Sequence, residues 1–343
     1  MIIRQLQSLR GIFALIIFFH HFYYPTGGAL CPPGGDCGVA FFLILSGFVM
    51  TDGYSARVIA DSFSYKRFMG LRLARLWPLH LLCLATALAI YRFGYPPAIV
   101  LNALMLQSWV PEKLFYFSGN AVSWCLADLM FCYAVFPWLL RAIRRHTRAA
   151  LIVYAVLCAC VLSFGVWLCP QPLIVPLMYI FPLTRLLDFT LGIFLWIAFR
   201  RFGNRHSRSA VWQGLAAVLL IAAFAVYSRV DVALGSAMLW WLPLGLLIFF
   251  CASPRTTVLT RLLGWRPLVA FGNVSFSFYM LHVLAGDFLS ATLARTGMAL
   301  PWGAVLALDL VFCITLAFIC HRWFEKPVNN RLRSLIIKTT TLK

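Results

Sequence analysis

The chain has 343 residues, 62% of them hydrophobic and only 11% charged, with a mean hydropathy of +0.88. Soluble globular chains are about half apolar and about a quarter charged, so this composition excludes one, and it excludes disordered, collagenous and small disulfide-stapled secreted chains as well. What remains is an integral membrane protein, and its formal charge of +19, from 29 Lys and Arg against 10 Asp and Glu, reads as topology before it reads as ligand binding, because cytoplasmic loops collect basic residues. No nucleic-acid partner is expected.

Apolar runs occupy residues 9–24, 38–53, 72–91, 98–109, 120–140, 150–168, 185–200, 210–228, 233–251, 268–292 and 301–324. The first leads on without a small-residue cleavage site, so it reads as a span and not as a removable signal. The fourth is too short to cross about 30 Å of hydrocarbon at 1.5 Å per residue, and a re-entrant or interfacial helix is expected there. Ten spans are left. With the N-terminus inside, they place 24 basic residues in the cytoplasm and five (Arg92, Lys113, Arg185, Arg229 and Arg295) outside; an eleventh span would turn the cluster at 141–148 outward. The expected fold is therefore all-α and polytopic, with about ten transmembrane helices and both termini cytoplasmic. It forms a single integral-membrane domain over 1–343 with no appended soluble domain.

Two outer segments stand out. Residues 25–37 are rich in Gly and Pro and carry Cys31 and Cys37, which an oxidising periplasm would allow to pair or leave free. Residues 169–184 hold four prolines and no basic residue before Arg185, and are expected as an irregular lid. The eleven cysteines show no paired C-x-x-C spacing, so no metal is expected.

Ionisable groups inside spans are expensive and mark cavities or sites by default. Arg10 and His21 are eleven residues apart, which puts them about 20° apart in direction and about 16 Å apart along a helix; His20 points elsewhere. A histidine titrates near neutrality and suits a general base for acyl transfer to a hydroxyl; the competing reading is a histidine bonded among packed helices. Arg72 and Arg75 lie one turn apart at the inner end of a span, as a phosphate grip or as a topology anchor. Arg185 and Asp188, at i and i+3, read equally as a structural ion pair or an acceptor-binding pair. Asp128, His282, Asp287, Asp309 and Glu325 complete the set.

Seven motifs run in order along the chain: Ser8-Leu9-Arg10-Gly11 followed by His21; Phe41-Phe42-Leu43-Ile44-Leu45-Ser46-Gly47-Phe48; Arg72-x-x-Arg75; Ser123-Trp124 with Asp128 and Tyr133; Arg185-x-x-Asp188-Phe189-x-x-Gly192; Ser275-Phe276-Ser277-Phe278-Tyr279-x-x-His282; and Glu325-x-Pro327. Together they resemble the acyltransferase 3 family of bacterial membrane O-acyltransferases, over nearly the whole chain. The one departure is Asp128, where that family usually has Glu. The resemblance implies transfer of an acyl group, usually acetyl from acetyl-CoA as co-substrate, to a glycan hydroxyl in the bacterial inner membrane. It implies that Arg10 and His21 are the essential pair and that Arg72 and Arg75 serve the donor.

On that basis Arg72, Arg75, Lys66 and Arg67 are expected to bind the phosphates of acyl-CoA at the inner mouth. The thioester arm would run past Arg10 to His21. A glycan acceptor would approach from outside near Asp128, Ser123, Trp124, Arg185, Asp188, Tyr279, His282 and Glu325, in contact with it or supporting groups that are. Membrane lipid is the remaining partner. Direct transfer with His21 as base is simpler than an acyl-enzyme, since no Ser or Cys has a convincing activating partner. The rival classes are a transporter of a small molecule or lipid-linked sugar using the buried Asp, His and Arg, and a non-catalytic sensor; within enzymes, another donor such as succinyl-CoA.

Overall fold

The computed structural model describes residues 4–23, 34–60, 62–203, 209–253, 255–298 and 300–341. Cys31 lies outside them, while Cys37 is buried. Twelve main helices follow in chain order: α1 (Arg4–Tyr23), α2 (Asp36–Ile59), α3 (Tyr65–Tyr91), α4 (Pro96–Ala103), α5 (Trp124–Arg145), α6 (Thr147–Ser163), α7 (Pro182–Phe202), α8 (Ser209–Val226), α9 (Met238–Cys251), α10 (Arg266–Thr296), α11 (Trp302–Cys320) and α12 (Lys326–Thr341). No strand occurs among the described residues. Nine of the helical segments are long and apolar enough to cross a membrane, so the protein is an all-α, multi-pass membrane protein. Of the ten expected spans, α1 is the one outside that set. Gln5, Gln7 and Arg10 flank its apolar stretch on one side and His20 and His21 on the other.

The short fourth run forms α4, eight residues long and so about 12 Å, followed by a 3₁₀ turn at Gln107–Trp109. The lid expected at 169–184 is not irregular. Gln171–Ile174 is α-helical, Val175–Ile180 forms a π-helical turn, and the two join α7 in one apolar stretch, Gln171–Phe202. The prolines permit this because a proline lacks only an N–H that the first turn of a helix leaves unpaired anyway. Pro172 and Pro182 each fall at the first or second position of their helix, and Pro176 lies where the backbone widens into the π-helical turn.

The chain divides into two compact units, residues 1–63 with 131–273, and residues 64–130 with 274–343. In the first unit α1, α2, α7, α8 and α9 share a core that includes Phe13, Phe41, Phe48, Trp196, Trp240 and Ile248. Phe13 of α1 stacks on Phe41 of α2 with ring centroids 3.9 Å apart. Helices α2 and α7 touch backbone to backbone: a Cβ on Gly47 would lie 2.0 Å from the Phe189 carbonyl oxygen, and one on Gly192 would lie 2.0 Å from that of Ile44. Small residues allow this because apolar burial gives helices in lipid little reason to associate, leaving close packing to hold them.

In the second unit α12 packs on α3, with Ile336 over Gly70, and the Trp77 indole of α3 donates to the Ala103 carbonyl at the end of α4 over 2.8 Å. Gly47→Leu is expected to lose about 3 kcal/mol or more, the upper range for overpacking, since backbone lies on the far side. Gly53→Ala, where nothing lies within 4 Å, is the control. Thermal melting of the two variants in detergent checks it.

Candidate active site

Helix α1 runs unbroken through Arg10, His20 and His21, so all three keep their helical directions. Arg10 is half-buried and its Nη1 donates to Gln7 Oε1 over 3.0 Å, one turn back. The His20 ring packs against the start of α2, where a Cβ on Gly35 would lie 2.5 Å from it, and lies within electrostatic reach of Asp36. His21 is half-buried, its ring 5.6 Å from that of His20 and turned by 57°. The two rings are thus turned differently on one helix. Asp36 accepts a 2.5 Å hydrogen bond from the Tyr227 hydroxyl. Sequence reasoning passed over Asp36, whose only signal was a carboxylate just before an apolar run.

Arg185 and Asp188 are completely buried one turn apart on α7, joined at 3.1 Å. The Arg185 guanidinium donates to the Met178 carbonyl at 2.8 Å and to the Ser236 carbonyl at 3.1 Å, and lies 5.7 Å from the Tyr179 ring centroid. The Trp241 indole donates to Asp188. The helical turn at 175–180 thus delivers a carbonyl to the arginine, and the charge is met entirely within the protein.

In the second unit α3 begins with Ser64 as cap, its hydroxyl accepting from the Arg67 N–H. Lys66 is exposed and Arg67 partly so. The Arg72 guanidinium lies 5.7 Å from the Phe68 ring centroid. Arg75, with 37% of its side chain exposed, reaches Glu325 Oε1 at 3.6 Å. Glu325 also accepts 2.5 Å from the Ser277 hydroxyl and lies 3.0 Å from His321 Nδ1. It sits in a π-helical turn, His321–Glu325, between α11 and α12; such turns recur at functional sites. The structure therefore brings Glu325 to Arg75, one of the arginines expected to hold the donor. His321 and Ser277 had no assigned role, although His321 and Glu325 have the i, i+4 spacing of a helical pair.

Ser123, Trp124 and Asp128 are buried along the start of α5. Tyr279 donates to the Val122 carbonyl over 2.7 Å and lies within electrostatic reach of Asp128. His282 Nδ1 contacts the Tyr279 carbonyl at 2.7 Å. Tyr279, Ser123, Trp124 and Asp128 thus gather in one place. Asn102 and Gln107, which the sequence reading did not single out, both donate to the Ser123 hydroxyl. The described residues hold no group of three or more His, Cys, Asp or Glu placed for a metal ion.

A helical membrane scaffold carries histidine, paired arginines and buried carboxylates, and the comparisons give this set its class. The sequence model of the Acyl_transf_3 family, described as an acyltransferase domain, matches residues 3–322. The chain belongs to this family. It is 28% identical over 337 residues to the acyltransferase MdmB of Streptomyces mycarofaciens, covering 85% of this chain and 80% of that protein. It is also 29% identical over 298 residues to a Komagataeibacter xylinus protein described as "Putative membrane-bound transacylase BcsY", covering 81% of this chain and 72% of that one. No solved structure matches. The protein is thus a multi-pass membrane acyltransferase.

Asp188→Ala leaves the Arg185 charge buried without its carboxylate, and removing one member of a buried pair costs roughly 3–5 kcal/mol. A melting temperature near that of the parent would show that Arg185 does not depend on Asp188.

Proposed function

We propose that this acyltransferase moves an acetyl group from cytoplasmic acetyl-CoA to a hydroxyl of a cell-surface or lipid-linked glycan. We place it in the bacterial inner membrane, with both termini cytoplasmic. The observation that carries the reading is the continuity of α1 through Arg10 and His21, which keeps the two side chains on one helix face. The skew of Lys and Arg toward one set of loops supports the orientation.

In this reading His21 takes the proton from the acceptor hydroxyl as its oxygen attacks the thioester carbonyl. The carbonyl carbon gains a C–O bond and then loses the C–S bond; the departing thiolate recovers the proton from the imidazolium. The products are the ester and free coenzyme A, with no net change of charge at the histidine. A neutral imidazole is suited to this because its ordinary pKa of about 6.5 lies close to the working pH. Arg72, Arg75, Lys66 and Arg67 meet the donor's phosphates, for which guanidinium forks are well matched. Glu325 offsets part of the positive charge there and fixes where Arg75 points.

Mass spectrometry of surface glycans from cells with and without the chain tests the reaction directly. Loss of an acetyl-sized mass is expected without it, and unchanged glycans exclude the glycan acceptor. Removing a general base typically lowers rate by about 10² to 10⁴. His21→Ala is accordingly expected to leave a membrane-inserted protein with transfer reduced by that factor; near-parental activity would rule His21 out as base. Arg72→Ala is expected to raise the KM for acetyl-CoA more than that for the acceptor. Arg72 is the cleaner choice for this test, because Arg75 is also tied to Glu325.

A further inference from the structure

A set of polar side chains lies buried in the second unit, between α3 and the start of α5. His80, Asn102, Gln107, Ser108, Ser118, Asn120 and Ser123 are each at most 2% exposed, although several come from a segment too short to span the bilayer. All but Ser108 are linked by hydrogen bonds. His80 Nε2 meets the Asn102 carbonyl at 2.8 Å, Asn102 Nδ2 donates to the Ser118 carbonyl at 2.6 Å, and Asn102 and Gln107 both reach the Ser123 hydroxyl. The Ser123 N–H donates to the Asn120 carbonyl at 2.9 Å, and Asn120 Nδ2 donates to the Met280 carbonyl at 2.8 Å.

These bonds determine what is left over. A carbonyl only accepts, so the nitrogen facing it must carry the hydrogen. That sets the amide orientation of Asn102 and Asn120 and the tautomer of His80. The remaining atoms, Asn102 Oδ1, Asn120 Oδ1 and His80 Nδ1, are then all acceptors, each buried without a partner in the protein. Gln107 Oε1 and the Ser108 hydroxyl, which can donate as well as accept, are also buried without a partner. Buried polar groups are normally satisfied, and several orphans in one place call for an explanation. Three of these orphans are fixed as acceptors and the cluster holds no Lys, Arg, Asp or Glu, so it offers a phosphate no cation and suits an uncharged O–H or N–H donor.

We propose that this cluster, built by residues 96–123 with His80, is a binding site for an uncharged hydroxyl or amide group of a substrate. The inference rests on the acyl-transfer reading, which supplies two sources of that chemistry: the hydroxyls of the acceptor glycan, and the amide and hydroxyl groups of the donor's pantetheine arm. Ser123 is its hub, which gives the Ser123-Trp124 motif a role in placing substrate.

The test uses the full chain in lipid nanodiscs, with methyl β-glucoside as the hydroxyl probe and pantetheine as the donor-arm probe. Protection of the backbone amides of 96–123 from hydrogen exchange is the readout. One of the two probes is expected to protect this segment, and which one names the source. Gln107→Met, which keeps the side-chain length, is expected to weaken that binding about tenfold, the effect of one buried hydrogen bond. Ser108→Ala, for which the structure gives no bond to break, is the second variant should Gln107→Met fail to fold. Protection by neither probe, protection by sodium ion alone, or affinities unchanged in both variants would overturn the proposal. Because binding is read without turnover, a chain that binds a probe through this segment yet transfers no acyl group overturns the proposed function and leaves this site standing.

Discussion

Hydrocarbon offers no hydrogen bonds, so a charged or polar side chain drawn into a helix bundle has to find its partners within the protein or cost several kcal/mol. Both units of this acyltransferase are organised around that requirement. In the first, the buried Arg185 is surrounded by Asp188, two backbone carbonyls and an aromatic ring. In the second, the buried Glu325 is met from three directions by Arg75, His321 and Ser277. The irregular backbone is placed to serve the same need. The helical turn at 175–180 supplies a carbonyl to Arg185, and the turn at 321–325 carries the carboxylate itself.

The two clusters differ in how they treat water. Arg185 and Asp188 are closed off entirely, whereas Arg75 keeps more than a third of its side chain exposed while its carboxylate partner stays buried. A guanidinium held at one end by a buried carboxylate and open at the other is preorganised: less side-chain freedom would remain to be lost to a phosphate, as the proposed donor site requires. The closed pair is buried throughout.

Helix-scale regularities explain which parts of this were legible from residues alone. Arg10, His20 and His21 lie on one helix, so their relative directions follow from 100° per residue, and the described α1 keeps them. Spans follow from run lengths, and the short run near 98–109 was recognisable because eight to twelve residues cannot reach across hydrocarbon. The stretch at 169–184, expected to be irregular from its four prolines, is mostly helical because Pro172 and Pro182 stand where a helix begins. At the first two positions of a segment a proline removes no hydrogen bond.

Composition and periodicity by themselves determined that this is an all-α membrane protein, and the ordered motifs determined its family, because those depend on residue type and on spacing within a helix. What only the tertiary structure decided is partnership across distant segments: Ser277 and Arg75 on Glu325, Asn102 and Gln107 on Ser123, Trp241 on Asp188. Such pairings join residues whose separation along the chain carries no period. They arise only once whole helices have packed, and the packing is set by close approaches such as Gly47 against Phe189 that no local pattern encodes.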